Sequence, residues 1–236
     1  MKTFKSLIII TLIAVLGIGA AFAGNSDETQ TRKVSGFNAI KVSTGIDLYL
    51  TMGVEEEVKI VANDEIIDDI KTEVKDGTLH IYMKQNNWFN WGRNKMRKAY
   101  VTVKELEKLY ASSGSDVKTE NTIKGESLEV KASSGSDVEL DVYYKNFSVD
   151  TSSGSDARLS GKTKTFKAEA SSGSDIKAHN LEAQICKVRA SSGSDITVNV
   201  TDELYARASS GADIRYSGNP QIRDIDESSG GDVRQR

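Results

Sequence analysis

Seven aspartates of this chain are each the last residue of a copy of one small polar pentapeptide. The motif Ser-Ser-Gly-Ser-Asp occurs five times, and two altered copies, SSGAD and SSGGD, follow it at intervals of 18–21 residues. Carboxylates that recur in this way could bind Ca²⁺, which prefers carboxylate and carbonyl oxygens. The aspartates, called the Asp column below, are Asp116, Asp137, Asp156, Asp175, Asp195, Asp213 and Asp232.

Two other roles for the Asp column are open. Each carboxylate could accept backbone N–H bonds at its own turn and extend into solvent, as Asp does in many turns. Each could instead contact a ligand directly. The calcium-binding β-rolls that the motif partly echoes carry two such turns per coil, whereas this chain carries one. This difference argues against a β-roll type of calcium site, but calcium is still the one cofactor that the sequence leaves possible.

A second candidate site is the irregular segment 85–98, QNNWFNWGRNKMRK. It contains both tryptophans of the chain together with several basic residues and no acid. Aromatic side chains in a loop can stack on sugar rings, and the cations could meet an anionic glycan or lipid. Alternatively, the aromatic side chains pack against the solenoid or cap it. The candidate binding residues are Trp88, Phe89, Trp91, Arg93, Lys95 and Arg97.

Catalytic chemistry finds little support in the sequence, and we predict no catalytic residues. The one cysteine, Cys186, falls in an apolar column and is expected to be buried and inert. The two histidines, His80 and His179, lie far apart in sequence, so no zinc-ligand set is visible. No Ser/His/Asp constellation or nucleophile-elbow motif appears.

The repeats predict the fold. Both flanks of each pentapeptide alternate between apolar and polar residues, as in Phe147-x-Val149 and Val138-x-Leu140, which is typical of strands with one buried face. A unit of about 19 residues is too short for a helix pair or a propeller blade, and it suits one coil of an all-β, single-stranded parallel β-helix. Glycine permits the sharp turn at each corner. The predicted corner glycines are Gly114, Gly135, Gly154, Gly173, Gly193, Gly211 and Gly230.

The remaining segments set the domain limits. Residues 1–23 combine Lys2 and Lys5 with an apolar run and an Ala-Phe-Ala end, which predicts a secretory signal. Residues 24–36 are expected to be a flexible linker and 37–236 the β-helix domain, with a strand-rich part (37–110) before the regular coils (111–236). Within the strand-rich part, Ser43-Thr44-Gly45-Ile46-Asp47 is interpreted as a divergent corner, and DEIIDDI (64–70) as a short helical turn.

Net charge argues against nucleic acid as a partner. The chain has 31 basic and 34 acidic residues; without the two lysines of the signal, 29 basic residues remain, for a net charge of −5. Such a protein has no electrostatic reason to bind nucleic acid. No apolar stretch after the signal is long enough to span a membrane.

The combination of motifs resembles the auto-transporter adhesin head GIN domain family. The resemblance covers about residues 37–234 and depends on FNAIKVSTGIDLYLTMG (37–53), DGTLHIYM (76–83), the serial SSGSD corners and the closing IRYSGNP…SSGGDV. It implies a right-handed parallel β-helix, similar in shape to pectin-lyase-type solenoids but without their catalytic residues, and a role in envelope or surface adhesion. The last two corners depart from the pattern, because Ala212 and Gly231 replace the second serine of Ser-Gly-Ser.

We therefore expect an exported, non-enzymatic protein of the periplasm, cell surface or medium that binds a glycan or an envelope protein. The alternatives are a polysaccharide-active β-helix enzyme and a calcium-binding structural solenoid. A third possibility is an assembly protein whose end strands pair with another copy, although the charges at Asp224–Glu227 would protect such an edge.

Overall fold

The computed structural model describes residues 26–84 and 96–236, and these are almost entirely β-strand. A one-turn 3-10 helix at Ile67–Asp69 confirms the short helical turn predicted there. The strands are β1 (Asp27–Arg32), β2 (Ala39–Val42), β3 (Asp47–Met52), β4 (Glu57–Asn63), β5 (Ile70–Lys75), β6 (Thr78–Met83), β7 (Arg97–Val103), β8 (Lys108–Ser112), β9 (Val117–Thr119), β10 (Ile123–Ser133), β11 (Val138–Thr151), β12 (Asp156–Ala170), β13 (Asp175–Ala190), β14 (Asp195–Ala208), β15 (Asp213–Ser217), β16 (Ile222–Glu227) and β17 (Asp232–Gln235).

Successive coils stack as parallel strands, which confirms the predicted solenoid. The long strands β11–β14 each continue around a bend, so that each contributes to two faces. Phe147 of β11 lies beside Phe166 of β12, 19 residues later in the sequence, and their rings are 5.5 Å apart. One apolar column of the interior consists of Leu128, Phe147, Phe166, Cys186 and Leu204, all of them buried. One coil could not bury its apolar face alone, and stacking makes the core continuous.

The pentapeptides form the corners of the coils. At each corner, the second serine and the glycine both have positive φ, as at Ser153 (57°) and Gly154 (70°). The glycine N–H donates to the carbonyl of the second serine in the next coil; Gly154 bonds to Ser172 in this way at 3.3 Å. Thr44 and Gly45 have the same conformation, which confirms that residues 43–47 are a corner.

The serine after the glycine is fully buried, because it lies inside the bend. The hydrogen bonds in these columns join mainly serine hydroxyls and backbone groups. The Ser115 N–H donates to Ser136 Oγ at 3.2 Å. The Ser174 hydroxyl lies 2.9 Å from the Thr151 carbonyl and 2.8 Å from the Ser171 carbonyl. Each buried hydroxyl thus satisfies backbone groups that the turn takes out of the strand ladder.

The N-terminal coils do not stack in sequence order. Strand β2 pairs on one side with β6 and on the other with β8, and β3 lies between β7 and β9. The coil β6–β7 is therefore the outer one, although it follows β2–β3 in the chain. Strands β1, β4 and β5 pair antiparallel with their neighbours at this end.

Two predicted boundaries need correction. The segment 24–36 was expected to be a flexible linker, but Asp27–Arg32 is strand β1, paired with β4 over six residues. The inserted segment was placed at 85–98, but Arg97 and Lys98 begin β7. In both cases, backbone pairing with β4 orders polar sequence that carries no clear apolar alternation.

No helix within the described ranges is long and apolar enough to cross a membrane.

Candidate functional site

The Asp column runs along the outside of the solenoid, immediately after the corners. The Asp137 N–H donates to Asp116 Oδ1 at 3.1 Å, and the Asp156 N–H donates to Asp137 Oδ1 at 3.2 Å. These carboxylates therefore accept bonds from the next coil, whereas the sequence interpretation placed such bonds within each turn. The bonds hold adjacent coils together at the corner.

Two residues after three of the aspartates, Asp156, Asp175 and Asp213, a basic side chain lies between neighbouring carboxylates. The ion pairs are those of Arg158 with Asp137 (3.6 Å) and Asp156 (3.7 Å), Lys177 with Asp156 and Asp175 (3.3 Å each), and Arg215 with Asp195 (3.5 Å) and Asp213 (2.8 Å). Carboxylates about 4.8 Å apart on adjacent strands repel one another, and an interposed cation offsets that repulsion. The sequence alone does not reveal this arrangement, because the alignment of these residues depends on the stacking of the coils.

Within the described part of the chain, the acidic residues are not gathered into a metal-binding group. Over residues 26–84 and 96–236, no three His, Cys, Asp or Glu side chains are placed to hold a metal ion together. Calcium binding by the Asp column stays one of the alternatives that the sequence leaves open.

A shallow cleft of about 240 Å³, here called the N-terminal cleft, opens beside the first members of the Asp column. The rings of Tyr49 and Tyr100 stack with centroids 4.9 Å apart, and Lys98 Nζ lies 5.6 Å from the centroid of the Tyr49 ring. Lys118 follows Tyr49 in the same outward row of side chains. The charged lining comprises Asp47, Asp116, Lys118, Asp137, Glu139 and Arg158.

Burial and neighbouring charges shift the pKa values of two ionisable groups behind this cleft. Burial raises the pKa of the Asp47 carboxyl, and the charge of Asp116 raises it further, while Lys98 and Arg97 act in the opposite direction. Burial lowers the pKa of the Arg97 guanidinium. Of the binding residues predicted in the inserted segment, Arg97 thus lies near Asp47, behind the N-terminal cleft. Trp88, Phe89, Trp91, Arg93 and Lys95 lie outside the described residues.

Cys186 and the histidines are separated from this cleft. Cys186 is fully buried, as predicted, and burial raises the pKa of its thiol to about 12. His80 lies in β6 and His179 in β13.

A second cleft of about 350 Å³ lies at the bend of β11 and β12, around the exposed Tyr143; we call it the Tyr143 cleft. Sequence reasoning missed it. The sequence signal that could have revealed this cleft is the interruption of the apolar alternation at Tyr-Tyr-Lys (143–145) and, one repeat later, at Lys-Thr-Lys (162–164). The two segments pair in the structure.

Several solved protein structures are similar in fold to this chain. A B. fragilis protein described as a "putative adhesin" is similar in structure, with a TM-score of 0.82 and 23% identity over 90% of this chain and 98% of that one. Two Parabacteroides distasonis proteins also match over 90% of this chain and 98% of theirs: a "putative adhesin" (TM-score 0.73, 19% identity) and a "putative lipid binding protein" (0.70, 20%). No match was found among curated protein sequences. Residues 36–220 match the family described as "Putative auto-transporter adhesin, head GIN domain". The chain therefore belongs to the auto-transporter adhesin head GIN domain family.

Proposed function

We propose that this chain is an exported, non-catalytic adhesin of the cell envelope or surface that binds its ligand on the outer face of the solenoid. Family membership supports adhesion as the general role. The observation that carries the proposal is the N-terminal cleft, where Tyr49, stacked on Tyr100, lies beside a regular row of charged side chains.

The chemistry of the N-terminal cleft suits a hydroxyl-rich ligand such as a neutral glycan. Aromatic rings offer a flat apolar surface with low conformational entropy, on which the C–H face of a sugar can stack. The charged lining has four carboxylates and two cations, so hydrogen-bond acceptors for sugar hydroxyls predominate. An envelope protein is the other partner class that this surface could serve.

The tryptophan-containing segment belongs to this proposal. It enters β7 at Arg97, which lies behind the N-terminal cleft, and Trp88, Phe89 and Trp91 precede Arg97 by six to nine residues along the chain. We propose that these residues extend the aromatic surface of the cleft. Arg93 and Lys95 would add donors for polar groups of the ligand.

The test is binding of residues 24–236 to a panel of neutral and acidic glycans and to envelope fractions. We expect Tyr49→Ala, and Tyr100→Ala through the loss of its stacking on Tyr49, to weaken binding by about two- to tenfold, since an aromatic contact is worth about 0.5–1.5 kcal/mol. Tyr205→Ala is the matched control, because Tyr205 also lies beside a lysine, with Lys187 Nζ 5.7 Å from its ring, but on another part of the surface. Equal loss in all three variants, or no binding to any probe, would contradict the proposal.

Two further measurements address the remaining parts of the proposal. Incubation with acidic and neutral polysaccharides should yield no shorter products, and product formation would instead favour the alternative of a polysaccharide-active enzyme. Mass spectrometry of the protein from the envelope fraction should give an N-terminus at Gly24. An intact residue 1–23 segment would argue against export by a cleaved signal.

A further inference from the structure

The Tyr143 cleft has the features of a binding site separate from the N-terminal cleft. It lies on the bend of β11, β12 and β13, between two rows of outward side chains. One row places Tyr143 beside Lys162 and Glu182 in the strand register. The other row contains Lys145, followed by Lys164 and Gln184 in the next two coils, since the flanking residues pair in that order.

Tyr143 presents an aromatic surface to solvent, whereas its neighbour Tyr144 is buried and forms part of the floor of the cleft. The Tyr143 side chain is 63% exposed, and Tyr100 is the only other aromatic among the large exposed apolar residues of the described ranges. Tyr144 is buried, and its hydroxyl donates to the Leu106 carbonyl at 2.9 Å. A Cβ on Gly125 would lie 2.7 Å from the Tyr144 ring, so the glycine lets this ring lie flat against the neighbouring coil.

The charge of the cleft is positive in an otherwise acidic protein. Lys145 and Lys162 pair with Glu126 (3.5 Å) and Glu182 (3.3 Å), and all four side chains are more than half exposed. Exposed pairs of this kind are weak, and an anion can displace the carboxylate partner. Lys164 forms no ion pair within the described part of the chain. The lining therefore has three cations and two carboxylates, whereas the N-terminal cleft has two cations and four carboxylates.

We propose that the Tyr143 cleft binds an acidic saccharide, with a uronate carboxylate held by Lys164 and Lys145 and the sugar ring stacked on Tyr143. These lysines lie on adjacent coils, about 4.8 Å apart in strand spacing, so both ammonium groups can reach one carboxylate or two successive ones. Gln184 and Glu182 supply a donor and acceptors for sugar hydroxyls. An acidic peptide would use the lysines but would gain little from the aromatic ring.

The test is calorimetric titration of residues 24–236 with an oligomer of galacturonic acid. Its methyl ester is the matched ligand, because it keeps the sugar rings and removes the charge. We expect binding of the acid that weakens with added salt, and binding of the ester at least tenfold weaker. Tyr143→Ala should weaken binding about tenfold and Lys164→Gln about fivefold. Lys104→Gln, which removes an exposed lysine elsewhere, should leave it unchanged.

Several results would overturn this proposal. Absence of binding at millimolar oligomer, equal binding of the ester, or full binding by Tyr143→Ala would each do so. Polyglutamate that binds as tightly as the oligomer would assign the cleft to acidic peptides instead. Tyr49→Ala is expected to bind the oligomer normally, so failure at the N-terminal cleft and failure at the Tyr143 cleft are distinguishable.

Discussion

Gly161 is expected to be far more sensitive to substitution than the glycines of the repeated corners. It lies inside β12, where the chain bends, with φ near +108°. A Cβ at this position would lie 2.0 Å from the Val142 carbonyl oxygen and 2.9 Å from the Val142 nitrogen. At the corner glycine Gly154, by contrast, φ is +70° and a Cβ would have no atom within 4 Å.

The magnitudes follow from these two environments. Gly154→Ala places alanine in the left-handed region, which is unfavourable by about 1–2 kcal/mol, and the less flexible unfolded chain returns about 0.4–1 kcal/mol. We therefore expect a loss of about 1 kcal/mol. Gly161→Ala must separate β12 from β11 by more than 1 Å or so, which removes about two backbone hydrogen bonds of about 1 kcal/mol each and adds backbone strain of about 1–3 kcal/mol. The expected loss is about 3–5 kcal/mol.

Urea unfolding followed by far-ultraviolet circular dichroism compares the two variants with the parent protein. A difference of about 3 kcal/mol corresponds to a midpoint shift of about 1 M or more, given typical urea dependences. Gly218→Ala is a second instance, because a Cβ on Gly218 would lie 1.9 Å from the Val200 carbonyl oxygen. If Gly161→Ala and Gly154→Ala unfold at the same midpoint, the inferred close approach of the coils is wrong.

Three further outcomes are expected. Ser174→Ala should lower the free energy of unfolding by about 1–3 kcal/mol, because it leaves buried backbone groups without their hydroxyl partner; Ser127→Ala, on an exposed hydroxyl, is the control, and equal losses would refute the argument. The Cys186 thiol should not react with a disulfide reagent at pH 8 until urea unfolds the chain, since burial raises its pKa to about 12; rapid labelling of the folded protein would contradict this. Millimolar Ca²⁺ should leave the thermal midpoint within about 1 °C of its value in EDTA, because cations such as Arg158 already lie between members of the Asp column. A rise of several degrees would make the Asp column a metal site.

Local pattern and repetition were enough to predict the architecture. The spacing of the pentapeptides gave the coil length, and the flanking alternation placed residues such as Phe147 and Cys186 in buried columns. The role of the corner glycine was also predictable, because a sharp turn requires a residue that tolerates the left-handed region. The positive φ of the serine before it was not predicted. The motif spacing, the apolar alternation and the corner glycine recur from coil to coil, so one sequence contains several independent copies of the same pattern.

The exceptions to the repeat were not predictable in the same way. Gly161 and Gly218 each follow a serine, as the corner glycines do, so the local sequence does not distinguish them. Their requirement for glycine arises from a carbonyl oxygen one coil away. The interleaved order of the N-terminal coils depends on which strand edges remain free for β6 and β8, and several orders satisfy the same apolar pattern.

The sequence by itself determined the fold class, the corner glycines and the burial of Cys186, because each follows from the alternation and turn residues within one repeat. Only the tertiary structure decided that Arg158 and Lys177 separate neighbouring aspartates, that Tyr49 stacks on Tyr100, and that Tyr143 borders a cleft with Lys164. Each of these contacts joins side chains from different coils. Their positions depend on the register between strands, and that register is set by the packing of the whole core.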